Sequence, residues 1–313
     1  MTVVNIPALL GARAVAPVVV KLGGEIMRQT AALAALAADI AALVAAGQRV
    51  VVVHGGGPQA DDLAARLGHQ VRKVAGRRVT DDGALEVAKM VYGGSINVEL
   101  VAALGRHGAR GVGLSGVDAW LITVTRRPPT RVADPAAGEA WVDFGHVGDV
   151  AAVDDTVLDV LLDGGYVPVV ASLAADTDGR IYNVNADTIA TVLAVHLGAG
   201  TLYLMTNVPG ILAAPPDPAS RIAVCTPASI AALAAAGTLS GGMLPKVQNC
   251  LDALAGGVPR VHILDGTAEH SLRAAFAPSG TGTVVMPDPP AAAPPGSPPA
   301  EPPSPTTDTR SQL

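Results

Sequence analysis

The chain reads as an α/β protein, a mostly parallel sheet covered by helices on both faces. Three observations predict this. From Val18 to about Val285, short Val/Ile/Leu runs alternate with Ala/Leu-rich helical stretches. Two valine runs break into glycine turns that open helical patterns, Val18-Val19-Val20 into Lys21-Leu22-Gly23-Gly24 and Val50 to Val53 into His54-Gly55-Gly56-Gly57-Pro58. Half of the 313 residues are hydrophobic but only 3% are aromatic, so the core is built from Ala, Val, Leu and Ile. That length holds one large domain or two smaller lobes.

The first valine run makes a strand at 18–22. A helix follows at 29–46; Asp39 interrupts its alanines and Gly47-Gln48-Arg49 closes it. It is shorter than the ~20 apolar residues of a membrane span. The second valine run makes a strand at 49–53, and a helix at 58–67 follows its glycine turn. A long helical stretch at 82–107 leads to strands at 111–115 and 119–125. Leu121 to Gly148 is a hairpin-like excursion, with Arg126-Arg127-Pro128-Pro129 marking a turn. The alternation then resumes: helix 153–164, strand 166–171, helix 186–198, strand 201–205, helices 227–236 and 244–256, and strand 260–264. Beyond Val285 the composition changes, with ten prolines between Pro287 and Pro305. Such a segment buries too little apolar surface to offset its ordering entropy, so 286–313 is expected to be a disordered tail of polyproline II character.

Several classes of function are disfavoured. Net charge is −6 and no basic run is interleaved with aromatics, so nucleic acid is not an expected partner. Cys225 and Cys250 are too few for a disulfide framework and lack metal spacing; they read as buried thiols of a reducing cytoplasm. No basic stretch precedes an apolar one at the N-terminus, where Pro7 and Pro17 stand, so neither a signal peptide nor a membrane partner is expected. The seven histidines show no metal-binding spacing, and His54 reads as a structural residue of its glycine turn.

The glycine turns carry the chemistry. A valine run breaking into glycines brings backbone N–H groups to the carboxyl end of a strand beside a helix N-terminus, an arrangement that holds phosphate oxygens. Lys21 stands at the mouth of the first turn, where an ammonium and backbone donors converge on one anion. Ser240-Gly241-Gly242-Met243-Leu244-Pro245-Lys246 repeats the pattern, a glycine turn followed by a lysine at a helix start. Asn183-Val184-Asn185-Ala186-Asp187 opens another helix. Asp187 there could serve merely the helix dipole, but the two alternating asparagines offer donors and acceptors suited to carboxylates and amides. Arg78 is a candidate carboxylate clamp, since guanidinium pairs with carboxylate in bidentate fashion.

Dinucleotide binding is the weaker reading. Gly111-Val112-Gly113-Leu114-Ser115-Gly116 has the spacing but leads into a strand instead of a helix. The Gly55 turn lies between strand and helix, yet Arg72 and Lys73 stand where an acidic residue should close the following strand. No Gly-Lys dipeptide occurs, which rules out a P-loop.

Together these motifs resemble the amino acid kinase family. The resemblance runs from Val18 to about Val285 through VVKLGGEIM, VVVHGGGPQADDL, GRRVTDDGALEVAKMV, YNVNADT, TNVPGIL and GTLSGGMLPKVQNCLDAL, in the family's order. It implies a three-layer αβα sandwich on an open, mainly parallel, eight-stranded sheet. An N-terminal segment 1–17 would precede an acyl amino acid lobe at 18–180 and an ATP lobe at 181–285. It implies phosphoryl transfer from ATP, carrying Mg²⁺, to the γ-carboxylate of N-acetyl-L-glutamate. By motif, Lys21 and Lys246 are the catalytic cations and Asp187 holds both. Gly23, Gly24, Gly56 and Gly57 supply N–H groups, and Arg78 and Asn183 bind the α-carboxylate. ATP lies around Thr206, Asn207, Gly210 and the Ser240, Gly241, Gly242 turn; no metal ligand is implied on the protein.

The chain departs from the family's usual residues at Asn207, Val98 and Glu25, none of them one of the two lysines or Asp187. The same resemblance leaves two other readings, a carrier-linked aminoadipate or glutamate as substrate, and a non-catalytic sensor. Arginine-inhibited members of the family carry a long N-terminal helix that links dimers into hexamers. Pro7, Gly11 and Pro17 break that stretch here, so a homodimer insensitive to arginine is expected.

Overall fold

In the computed structural model the described residues are 15–134, 138–239, 241–276 and 280–289. Most of the N-terminal segment, and residues 290–313 of the proline-rich tail, lie outside them.

Eight strands form the central sheet: β1 (Val18–Leu22), β2 (Val50–His54), β3 (Gly111–Ser115), β4 (Val167–Ala171), β5 (Thr201–Thr206), β6 (Val224–Cys225), β7 (Val261–Asp265) and β8 (Thr283–Val285). They lie in the order β6-β8-β7-β5-β1-β2-β4-β3. Every neighbouring pair is parallel except β7 with β8. β1 and β2 are valine runs because both their faces are covered, so every residue of each strand is buried.

The helices are α1 (Thr30–Ala45), α2 (Gly57–Arg66), α3 (Asp82–Arg106), α4 (Thr156–Asp163), α5 (Ala186–His196), α6 (Pro227–Ala235), α7 (Met243–Ala255) and α8 (Ser271–Ala274). The period of two along the strands assigns them to layers. Val19, Val51, Val53, Leu202 and Leu204 pack with Ile189 and Leu193 of α5 and Val247 of α7. Val18, Val20, Val50 and Val52 pack on the other side with Leu36 and Ile40 of α1 and Val91 of α3. This is the expected three-layer αβα sandwich.

α3 is long and apolar enough to cross a bilayer by length and composition. Here Val87, Val91, Leu100 and Leu104 are buried against the sheet layer, while Met90 and Val98 stand exposed. A π-helical stretch, Lys89–Ile96, runs through its middle over Gly93-Gly94.

Smaller elements cover the carboxyl edge of the sheet. A four-stranded sheet joins Ile181–Asn183, Leu173–Ala175, Ile122–Arg126 and Gly148–Val153. Two hairpins, Lys73–Val74 with Arg77–Arg78 and Thr130–Asp134 with Gly138–Val142, flank it. Val142, Phe144 and Val147 pack with Val74, Val79 and Val132 in a small separate apolar cluster.

The sequence expectations differ from this at few places. The strand expected at 119–125 begins at Ile122, since residues 118–120 form a 3₁₀ turn with Ala119 and Trp120 at positive φ. The helix expected from 153 begins at Thr156: Val153 still pairs in its strand, and Asp154 accepts from Thr156 N and Oγ1.

Candidate active site

A cleft of about 1420 Å³ opens at the carboxyl ends of β1, β2 and β4. The chain places β2, β3 and β4 on one side of β1 and then sets β5 on the other. Such a switch point leaves a crevice outside the strand ends.

Lys21 shares the parity of Val19, so its side chain leaves β1 on the α5 face. Asp187 lies in the first turn of α5 and is carried to the same place. Lys21 Nζ stands 2.7 Å from Asp187 Oδ1 and Lys246 Nζ 3.6 Å from Oδ2. Lys246 reaches in from the first turn of α7, just beyond Gly241-Gly242. Burial pushes the Asp187 carboxyl up, but Lys21 and Lys246 outweigh it and hold its pKa below the ordinary carboxylate value. Two ammonium groups on one carboxylate leave a net positive charge in a nearly dry site, which attracts an anion.

Asn185 lines the cleft, but its side-chain oxygen is committed to the backbone. Its Oδ1 accepts from Asp187 N at 2.7 Å and Thr188 N at 3.3 Å, so this asparagine is the N-cap of α5. Asn183 also lines the cleft, and its Nδ2 donates to Thr80 Oγ1 at 3.2 Å.

The two glycine turns touch. Gln59 Nε2 donates to Gly24 O at 2.8 Å, and a Cβ on Gly24 would come 2.6 Å from Pro58 Cδ. A Cβ on Gly56 would overlap Ile96 Cδ1 and lie 2.8 Å from Tyr92 Cδ1, so only glycine lets α2 start this close to α3. Gly57 is the first residue of α2, whose opening N–H groups have no intrahelical acceptors. Gly23 differs from the other three, because its N–H donates to Met205 O at 3.2 Å and ties the first turn to β5.

Beneath the second turn His54 is fully buried. Its Nδ1 donates to Gly55 O at 2.8 Å, and its Nε2 accepts from Asn97 Nδ2 at 3.1 Å. Burial lowers its pKa to about 4 against a raising effect of the Gly55 carbonyl, so the ring is a neutral strut.

Arg78 lines the cleft with 9% of its side chain exposed. Its Nη2 donates to Gly57 O at 2.8 Å and stands 2.6 Å from Asp61 Oδ1. Asp61 is a partner that the sequence did not disclose, as one of two adjacent aspartates on an exposed helix. Arg127 also lines the cleft, paired with Asp149 Oδ1 at 2.5 Å, though its sequence context signals only a turn.

The cleft therefore gathers Lys21, Gly24, Gly56, Gly57, Arg78, Asn183, Asp187, Gly241 and Gly242, with Lys246 at Asp187. Thr206, Asn207 and Gly210 do not line it. Thr206 Oγ1 accepts from Val208 N at 3.1 Å at the end of β5, Asn207 is exposed, and Gly210 is buried against Thr283. Ser240 lies outside the described residues. No group of three or more His, Cys, Asp or Glu is placed to hold a metal ion among the described residues.

A sequence profile of the amino acid kinase family matches residues 16–265. The acetylglutamate kinase of Sorangium cellulosum is 49% identical over 88% of this chain and 96% of its own length. That of Symbiobacterium thermophilum is 45% identical over 86% of this chain and 91% of its own. Among solved structures, the N-acetylglutamate synthase from Neisseria gonorrhoeae complexed with coenzyme A and N-acetyl-glutamate superposes with a TM-score of 0.72 at 27% identity. The match covers 88% of this chain and spans 60% of that longer one. Giardia carbamate kinase, at 19% identity and a TM-score of 0.62 over 88% of this chain and all of its own, shares the fold.

Proposed function

The chain belongs to the amino acid kinase family, and on that premise we propose that it transfers the γ-phosphoryl group of ATP to the γ-carboxylate of N-acetyl-L-glutamate. The products are N-acetyl-L-glutamyl 5-phosphate and ADP, the second step of arginine biosynthesis. The observation that carries this reading is the pair of lysines on one buried aspartate, in the same cleft as the Gly56-Gly57 turn and Arg78. The relatives named acetylglutamate kinase, matched over most of their length, supply the substrate.

The chemistry suits such a site. A carboxylate oxygen attacks the γ-phosphorus and the bond to the bridging β–γ oxygen breaks, with its electrons leaving on ADP. The nucleophile is already ionised at neutral pH, so no general base is needed. What the protein supplies is alignment and charge stabilisation. Lys21 and Lys246 neutralise the migrating phosphoryl group from two sides, and Asp187 keeps both in reach. Gly24, Gly56 and Gly57 offer N–H groups, while Arg78 and Asn183 take the α-carboxylate. The acceptor lies mainly with residues 18–180, joined by Asn183, and ATP with the rest of 181–285, along Thr206, Asn207, Gly210 and the Ser240 to Lys246 turn. Both Asp187 oxygens face ammonium groups, so Mg²⁺ enters as part of the nucleotide, where it shields the phosphate charge.

A homodimer and a cytoplasmic location belong to the same proposal. β3 is a free edge of the sheet, and Met90, Val98 and Trp120 stand exposed on α3 and beyond the end of β3. The two cysteines are free, buried thiols. Light scattering should give twice the chain mass.

The test of function is an ADP-release assay with N-acetyl-L-glutamate, N-acetyl-aminoadipate and glutamate side by side, with hydroxylamine trapping of the acyl phosphate. Turnover of the first alone supports the proposal, and no turnover of it refutes the proposal. Of the basic residues near the acceptor turn, Lys73 and Arg78 are both held by Asp61. Arg72 and Arg77 stand exposed beside them, so the assay, and not the charge of this rim, separates a free acceptor from a carrier-linked one.

A further inference from the structure

Arg78 is gripped by a carboxylate that phosphoryl transfer does not require. Asp61 lies about one turn into α2, the helix that begins at the Gly56-Gly57 turn. Its Oδ1 stands 2.6 Å from Arg78 Nη2 and its Oδ2 2.8 Å from Lys73 Nζ. Lys73 and Arg78 are themselves paired directly across a hairpin, closed by Ala75 and Gly76 at φ 46° and 75°. Like charges directly opposite one another on a two-stranded ribbon repel. One carboxylate between them turns that repulsion into a bridge.

The bridge leaves Arg78 in a defined pose. Nη2 donates to Gly57 O and stands in ion-pair contact with Asp61 Oδ1, while Nη1 is buried with no hydrogen-bond partner among the described residues. A buried guanidinium nitrogen without an acceptor is unfavourable, so the site is arranged for an oxygen that arrives with a ligand.

We infer that Asp61 is a positioning residue of the acceptor site, fixing the Arg78 fork relative to the Gly56-Gly57 turn so that Nη1 receives the carboxylate of the acyl amino acid. This rests on the acceptor reading given above. Asp61 neutralises one of the two opposed cations and leaves a single net positive charge for the anion. Without it, Arg78 retains only the Gly57 carbonyl, and Lys73 loses its tie to α2.

The test is steady-state kinetics on the full chain as wild type, Asp61→Asn, Asp61→Glu, Arg78→Ala and the Asp61→Asn/Arg78→Ala double variant. Asp61→Asn is expected to raise KM for N-acetyl-L-glutamate about tenfold while kcat and KM for ATP stay within about twofold. Asp61→Glu should recover part of the loss, and Asp61→Asn should add nothing in the Arg78→Ala background. Should the asparagine variant not fold, Asp61→Ser is read in the same way. An unchanged KM, or an equal rise when Arg78 is already absent, overturns the inference. A wild-type protein that does not turn over N-acetyl-L-glutamate overturns the functional reading, and this inference with it.

Discussion

Lys21 and Asp187 meet at 2.7 Å, with only 9% and 12% of their side chains exposed. β1 and α5, far apart in sequence, are brought together so that this one contact forms. A buried pair that loses one member leaves an uncompensated charge, which is destabilising by about 3 kcal/mol or more. The two lysines should therefore behave differently when removed.

Lys246→Ala is expected to fold, because Lys21 still neutralises Asp187 and Lys246 itself is partly exposed. Its kcat should fall at least about 100-fold, the loss typical of a preorganised donor near 3 kcal/mol. Lys21→Ala should lose turnover and also stability, seen as a lower urea midpoint. Wild-type turnover by Lys246→Ala would refute the assignment of that lysine.

Arg78→Lys should raise KM for the acceptor by about tenfold or more, because an ammonium cannot contact Asp61, Gly57 O and a ligand in one plane. The measurement is KM for N-acetyl-L-glutamate at saturating ATP. A lysine variant with unchanged KM would show that charge alone suffices.

Gly56→Ala forces a methyl group into Ile96 and Tyr92. Overpacking of this kind costs about 1–3 kcal/mol, and here it also displaces the turn, so stability and acceptor affinity should fall together. Adding Ile96→Ala should restore part of both. At Gly57 a methyl group would meet only Arg78 Nη2 at 4.0 Å, so Gly57→Ala serves as the tolerated control in melting experiments.

Acid should destabilise the fold through His54 and His262. Burial lowers both to about 4 in the folded chain; in His262, Arg260 adds to the effect. An imidazole in the unfolded chain takes its proton near pH 6.5, so the unfolded state binds more protons as pH falls from there toward 4. Stability present above pH 6.5 is lost through that window, by up to about 3 kcal/mol per histidine. Urea midpoints at pH 7.5 and 4.5 measure the loss, and His262→Phe should reduce it. A midpoint that does not move between those pH values contradicts the account.

Much of the architecture was legible because buried parallel strands have no polar face to conceal. Val18–Val20 and Val50–Val53 announce β1 and β2 directly, and the glycines after them mark where the cleft opens. Lys21 and Lys246 could be named because each stands at an element boundary beside a glycine turn, whereas Asp187, in the Asn183 to Asp187 run, was tied to them by the family resemblance. The small hairpins at Lys73–Arg78 and Leu173–Asn183 were not legible. They hold too few residues for a period of two to appear, and their pairing is set by what they pack upon. Asp61 and Arg127 were hidden because a charged residue's partner is decided by tertiary placement. Asn185 shows the converse: an asparagine that invites a ligand reading spends its side-chain oxygen on capping the helix it begins.

The unbroken sheet has one further mechanical consequence. β1 is hydrogen-bonded along its length to β5 on one side and β2 on the other. Residues 18–180 and 181–285 are thus joined by a shared ladder, and parting them as separate rigid bodies would break backbone hydrogen bonds in the centre of the molecule. Room for substrates to enter and products to depart has to come from parts hung on the carboxyl rim, the Lys73–Arg78 ribbon and the Gly241-Gly242 lead-in to α7. Amide exchange should find those two places supple and β1 the stiffest stretch of the chain.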